Sequence, residues 1–99
     1  MNTLNLEHDC LATGLSFAEY SFTVHLNDGR RIEIPLTWFP RLYNGSKQER
    51  EKFELIGNGQ GIHWPKLDED IHIESLLSGR ASQESQNSLK KWLQKRRKK

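Results

Sequence analysis

The sequence predicts an α+β domain: a small antiparallel sheet built on a β-hairpin and packed by short helices, followed by a basic C-terminal helix. Three observations carry this reading. Apolar residues recur with a period of two over residues 20–36, helix start and stop signals bracket short segments between residues 38 and 79, and Leu89, Trp92 and Leu93 fall at helical spacing in a tail crowded with Lys and Arg.

Tyr20, Phe22, Val24 and Leu26 alternate with Ser21, Thr23 and His25. After Asn27-Asp28-Gly29, residues that tolerate positive φ, Ile32, Ile34 and Leu36 alternate with Arg31, Glu33 and Pro35. The pattern specifies a hairpin with one buried face. Pro35 has no N–H for the ladder, so the second strand is an edge or ends there. A hairpin alone is marginal in water, and a short strand over residues 9–13 is expected to flank it. Trp38, Phe39, Leu42 and Tyr43 form one face of a short helix with Pro40 in its first turn and its end near Asn44-Gly45. Ser46 and Glu49 stand at capping-box spacing, so a second helix starts at residue 46 and runs to 52 or 53. Two short extended runs then flank Gly57-Asn58-Gly59-Gln60-Gly61. Ile71, Ile73, Leu76 and Leu77 move toward helical spacing, with Gly79 placed to stop that helix. Asp68, Glu69 and Asp70 would lie at its N-terminus, where the helix dipole favours negative charge. Residues 80–86 are polar and read as a hinge or a helix start.

With 99 residues the chain has room for one core. Charge divides it: residues 80–99 hold eight Lys or Arg against one acid, Glu84, for +7, while residues 1–79 hold seven basic and twelve acidic residues, for −5. The expected organisation is a compact acidic α+β domain over residues 1–79 and a basic helix or tail over residues 80–99. Cys10 is the single cysteine and has no internal disulfide partner, which fits a reducing cytoplasm. The N-terminus lacks a basic region followed by an apolar run, and no apolar stretch is long enough to span a bilayer, so neither export nor membrane insertion is expected.

No catalytic, metal or cofactor site is expected. Cys10 with His8, His25, His63 or His72 would supply a nucleophile and a base, yet no motif fixes them together, and a small buried hydrophobe is the favoured role for Cys10. His63, Asp68, Glu69, Asp70 and His72 are five metal-ligand types within ten residues, without the spacings of Zn²⁺ or Ca²⁺ sites. The glycine-rich loop lacks the Lys-Ser/Thr or the long helix of a phosphate cradle and reads as a structural turn. Two binding surfaces remain. Trp38, Phe39, Tyr43, Phe53 and Trp64 are expected mostly to pack in the core, with Trp64, beside Asp68, Glu69 and Asp70, as the alternative of an edge for a protein partner. Lys90, Lys91, Trp92, Lys95, Arg96, Arg97, Lys98 and Lys99 form a candidate anion-binding helix, because seven cations in ten residues without an acid repel one another unless a negative partner is present. That partner is nucleic acid, an acidic protein groove or the body's own −5, with a membrane surface ranked last. Trp92 either packs on the body or stacks on a base.

The anchors Asp28-Gly29, Trp38-Phe39-Pro40-Arg41-Leu42, Gly61-Ile62-His63-Trp64-Pro65, Leu67-Asp68-Glu69-Asp70-Ile71 and Leu76-Leu77 with Gly79 resemble the small bacterial family known as domain of unknown function 2442, over roughly residues 8–79. The resemblance implies a compact α+β domain of bacterial or phage origin. Members of that family can be fused to helix-turn-helix domains, and others look like partners in toxin–antitoxin pairs, so it implies binding and regulation; this chain lacks a helix-turn-helix of its own. The first expectation is therefore an antitoxin-like regulatory binding protein, its body meeting a toxin or other protein and its tail meeting nucleic acid or an acidic surface. A phage- or plasmid-encoded inhibitor of a host nucleic-acid-handling complex ranks second and an enzyme third. Oligomeric state is left open.

Overall fold

The structure, a computed structural model, describes residues 10–97. Two three-stranded antiparallel sheets form the body. The first holds β1 (Ala12–Phe17), β2 (Ser21–Leu26) and β3 (Arg31–Pro35) in that order, and the second holds β4 (Glu54–Ile56), β5 (Gly61–Trp64) and β6 (Glu69–His72), also in chain order. Among the described residues four helices complete the fold: α1 (Pro40–Tyr43), α2 (Lys47–Glu51), α3 (Ile73–Leu77) and α4 (Gln86–Arg97), with 3₁₀ turns at Leu36–Trp38 and Gly57–Gly59. This is the α+β class that the sequence predicts.

The hairpin closes in the expected register, with Phe22 opposite Ile34 and Val24 opposite Ile32. Its inward residues Phe22, Val24, Leu26, Ile34 and Leu36 are buried, and Pro35 ends β3 on the sheet edge, where a missing N–H costs no ladder bond. Tyr20 departs from the alternation: it precedes β2, lies 70% exposed and contributes only a backbone carbonyl, which accepts from the Leu36 N–H. The flanking strand exists but is displaced toward the C-terminus, at Ala12–Phe17, and Asp9, where the expected strand would begin, lies outside the described residues.

Pro40 occupies the first turn of α1, where its missing N–H is harmless. The Ser46 side chain accepts from the Glu49 backbone N–H, while the Glu49 carboxylate accepts from the Ser46 N–H at 2.8 Å, so both members of the capping box are formed at the start of α2. Gly59 explains the glycine-rich loop. Its φ is +101°, and a Cβ there would meet the Ala12 carbonyl oxygen at 2.4 Å, so only glycine lets this turn lie against β1.

Residues 68–72 correct the sequence reading. Asp68, Glu69 and Asp70 do not begin a helix. Asp68 has a φ of +53° in the turn after β5, and the chain then runs back as β6, with Ile62 opposite Ile71 and Trp64 opposite Glu69. An aspartate accepts the left-handed conformation more readily than most residues, and pairing with β5 overrides the local helical spacing. Helix α3 starts only at Ile73, with His72 as its N-cap.

Both sheets and the helices share one core. Phe22 of the first sheet meets Trp64 of the second edge-on, with ring centroids 6.1 Å apart and planes at 79°, and Phe39 meets Phe22 at 6.3 Å. Leu42, Leu67, Ile73 and Leu76 close the core around them.

Candidate functional site

The basic helix begins where polar residues can cap it. Ser85 accepts through its hydroxyl from the Ser88 N–H at 3.1 Å, and its carbonyl accepts from the Leu89 N–H at 3.0 Å. The linker before it is tied to the body by the Ser82 N–H, which donates to the Trp38 carbonyl at 2.9 Å.

Two ion pairs and one indole hold α4. The Arg41 guanidinium of α1 donates to Glu84 through Nε at 3.0 Å and Nη2 at 2.5 Å, a two-pronged pair whose side chains are only 14% and 13% exposed. Arg41 Nη1 also donates to the Asp68 carbonyl at 3.0 Å, and the Asp68 carboxylate stands 3.5 Å away. At the far end of α4, Arg96 donates to both Glu49 oxygens, at 2.7 and 3.1 Å. Between these pairs Trp92 packs against the core, with the Arg41 and Arg96 guanidinium carbons 5.1 and 4.7 Å from its ring centroid. Glu49 thus serves the capping box and the tail with one carboxylate.

The electrostatics follow these contacts. Hydrogen bonds from Arg96 hold Glu49 down to about 2, and those from Arg41 lower Glu84. Glu69 goes the other way. Half-buried on β6, it is pushed up to about 7, first by loss of water and further by Glu84, Asp70 and Asp68, against the pull of Arg41. A carboxyl whose folded pKa lies above its ordinary 4.5 contributes stability that is present below pH 4.5 and lost as pH rises toward 7. We therefore expect Glu69→Gln to match the wild-type chain at pH 4 and to exceed it at pH 8 by about 1–2 kcal/mol, solvent screening taking up part of the shift, read from urea midpoints at the two pH values. A constant difference across that range would contradict the assignment.

The structure separates the residues that the sequence groups together. Trp64 is not a partner edge: it is 0% exposed, seated between the sheets, and its indole N–H donates to the Arg50 carbonyl at 2.9 Å. A ring that large stabilises more in the core of so small a domain than at its surface. Asp70 pairs with His63 across β5 and β6 at 2.5 Å, an interaction that raises the His63 pKa. Among the described residues no group of three or more His, Cys, Asp and Glu is placed to hold a metal ion. Cys10 and His72 line one pocket of about 190 Å³, with no hydrogen bond between them, and Cys10 instead receives one from Arg30 at 3.1 Å. His8 lies outside the described residues, as do Lys98 and Lys99 of the tail.

In the tail, Arg96 is consumed by Glu49. Lys90, Lys91, Lys95 and Arg97 make no ion pair with any described residue. Arg41, Glu49 and Glu84 are the functional residues that sequence reasoning passed over. The one available signal was Glu84, the single acid among the tail's cations.

Two small antiparallel sheets on a shared core, with a basic helix clamped to one side, define a compact α+β domain. The chain belongs to the family described as "Protein of unknown function (DUF2442)", whose model matches residues 15–82 and so includes Arg41, Glu49 and Glu69 but stops short of Glu84 and α4. Two solved structures share the fold. A protein of unknown function from Rhodospirillum rubrum superposes with a TM-score of 0.67 at 23% identity, covering 76% of this chain and 93% of its own. An uncharacterized Chromobacterium violaceum protein, solved by NMR, gives 0.66 at 20% identity, covering 81% and 74%. No curated protein matches the chain. No helix among the described residues is long and apolar enough to cross a membrane.

Proposed function

We propose that the protein is a regulatory binding protein of the cytoplasm, antitoxin-like in its division of labour, whose helix α4 engages the phosphate backbone of nucleic acid. The supporting observation is that four cations of α4, Lys90, Lys91, Lys95 and Arg97, are left without an intrachain partner among the described residues, although the body supplies carboxylates to Arg41 and Arg96. Holding like charges together on one helix is unfavourable unless an anion repays it. The acidic remainder of the body, away from the seam with α4, is the surface left for a protein partner.

Phosphate neutralisation releases counterions, so affinity must fall with salt. The full chain should retain a fluorescent single-stranded oligonucleotide with a log–log salt slope between about −1.4 and about −3, from two to four contacts at roughly 0.7 each. Absence of salt-sensitive binding at low ionic strength would overturn the proposal.

A further inference from the structure

Along the seam between α4 and the body runs an open groove of about 410 Å³, lined by Arg41 and Asp68 from the body and by Ser88, Lys91, Trp92 and Lys95 from the helix. Lys91 and Lys95 are four residues apart, one turn or about 6 Å along the axis, and so project along the same line. Neither has an ion-pair partner among the described residues. Arg41 is immobilised at the body side of the groove by Glu84 and the Asp68 carbonyl, and Trp92 is held between the two clamps. Asp68 is the one acid in the lining, and its side chain is 88% exposed and turned to Arg41. Lys90 and Arg97, two turns apart, occupy a different flank, where Lys90 borders Leu89 and Leu93 instead.

We propose that this groove is a composite phosphodiester site for one nucleic-acid strand, with Lys91 and Lys95 on neighbouring phosphates and the clamped body presenting α4 in the required orientation. The inference rests on the reading of α4 as a nucleic-acid helix and adds where the strand runs. Four free cations would attract a polyanion from any side, whereas a groove whose Arg41 and Trp92 are already fixed leaves only the two lysines to be ordered on binding. At about 410 Å³ it has the volume of a small-ligand cleft, room for one phosphodiester backbone and not for a duplex. It also makes the body part of the site, so the tail is not an autonomous binding peptide.

Two full-length double variants separate the possibilities because each removes two positive charges from solvent-facing positions of the same helix. Lys91→Gln with Lys95→Gln should weaken binding of a labelled oligothymidylate at low salt by about tenfold or more and flatten the salt slope by about 1.4, the share of two single-strand contacts. Lys90→Gln with Arg97→Gln should weaken it by no more than about threefold, through screened long-range attraction alone. Circular dichroism of both variants checks that α4 is retained. Equal losses in the two variants would overturn the groove while leaving α4 as the nucleic-acid helix. Failure of the unsubstituted chain to bind would overturn both.

Discussion

Trp64→Ala is expected to remove a large share of the chain's stability at 25 °C. Truncating a buried Trp typically costs about 3–5 kcal/mol, and a domain of this size holds only about 5–15 kcal/mol in total. Trp64 has an unusually central position: it is the contact through which the second sheet meets Phe22 of the first, and its N–H satisfies the Arg50 carbonyl just before α2 ends. Loss of the ring therefore opens a cavity in the core that the two sheets share. Urea titration followed by circular dichroism should show the midpoint strongly lowered and the folded baseline shortened. Trp64→Phe should retain a cooperative transition at reduced midpoint, because most of the volume remains and one hydrogen bond, worth about 1 kcal/mol, is lost. An Ala variant with a near-native midpoint would show that the sheets hold together without this ring.

Arg41→Ala is expected to release the tail while leaving the sheets folded. The substitution strands Glu84, which is mostly buried, and removes a donor from the turn between β5 and β6. Breaking a fully buried pair costs about 3–5 kcal/mol, and the partial exposure here reduces that to about 2 kcal/mol. The released α4 is twelve residues long and dense in like charge, so it should not remain helical by itself. Limited trypsin digestion should cut rapidly between residues 90 and 97 in the variant and slowly in the wild-type chain. Arg41→Lys should rescue little, since an ammonium keeps the charge but lacks the planar fork that grips Glu84. Equal digestion rates would mean that Trp92 and Arg96 suffice to hold the helix.

What could be read in the sequence was what is local. The hairpin follows from alternation about Asn27-Asp28-Gly29, and α2 follows from Ser46 and Glu49, three residues apart. Strand β6 escaped because its evidence is not in residues 69–72 alone: Ile71 reads equally well as the first turn of a helix until Ile62 is placed beside it. For Trp64 packing and a partner edge both stay open in the sequence for a related reason, since an aromatic next to Pro and acidic residues looks the same whether it faces solvent or Phe22, and the structure decides for packing. The clamps were illegible for want of proximity. Arg41 and Glu84 are 43 positions apart, and Glu49 and Arg96 are 47. The free cations of α4, in contrast, were visible as composition, because charge density needs no partner to be counted.

Glu49 gives the fold an inconvenience for genetics. One carboxylate completes the start of α2 and also receives Arg96, 47 residues downstream. Because its pKa is held near 2, it stays ionised at any physiological pH and cannot be switched out of either duty by protonation. Any allele at this position is therefore pleiotropic, fraying a short helix and loosening the C-terminal one together. Changes at the two partners tell the phenotypes apart, Ser46 for the start of α2 and Arg96 for the C-terminal helix.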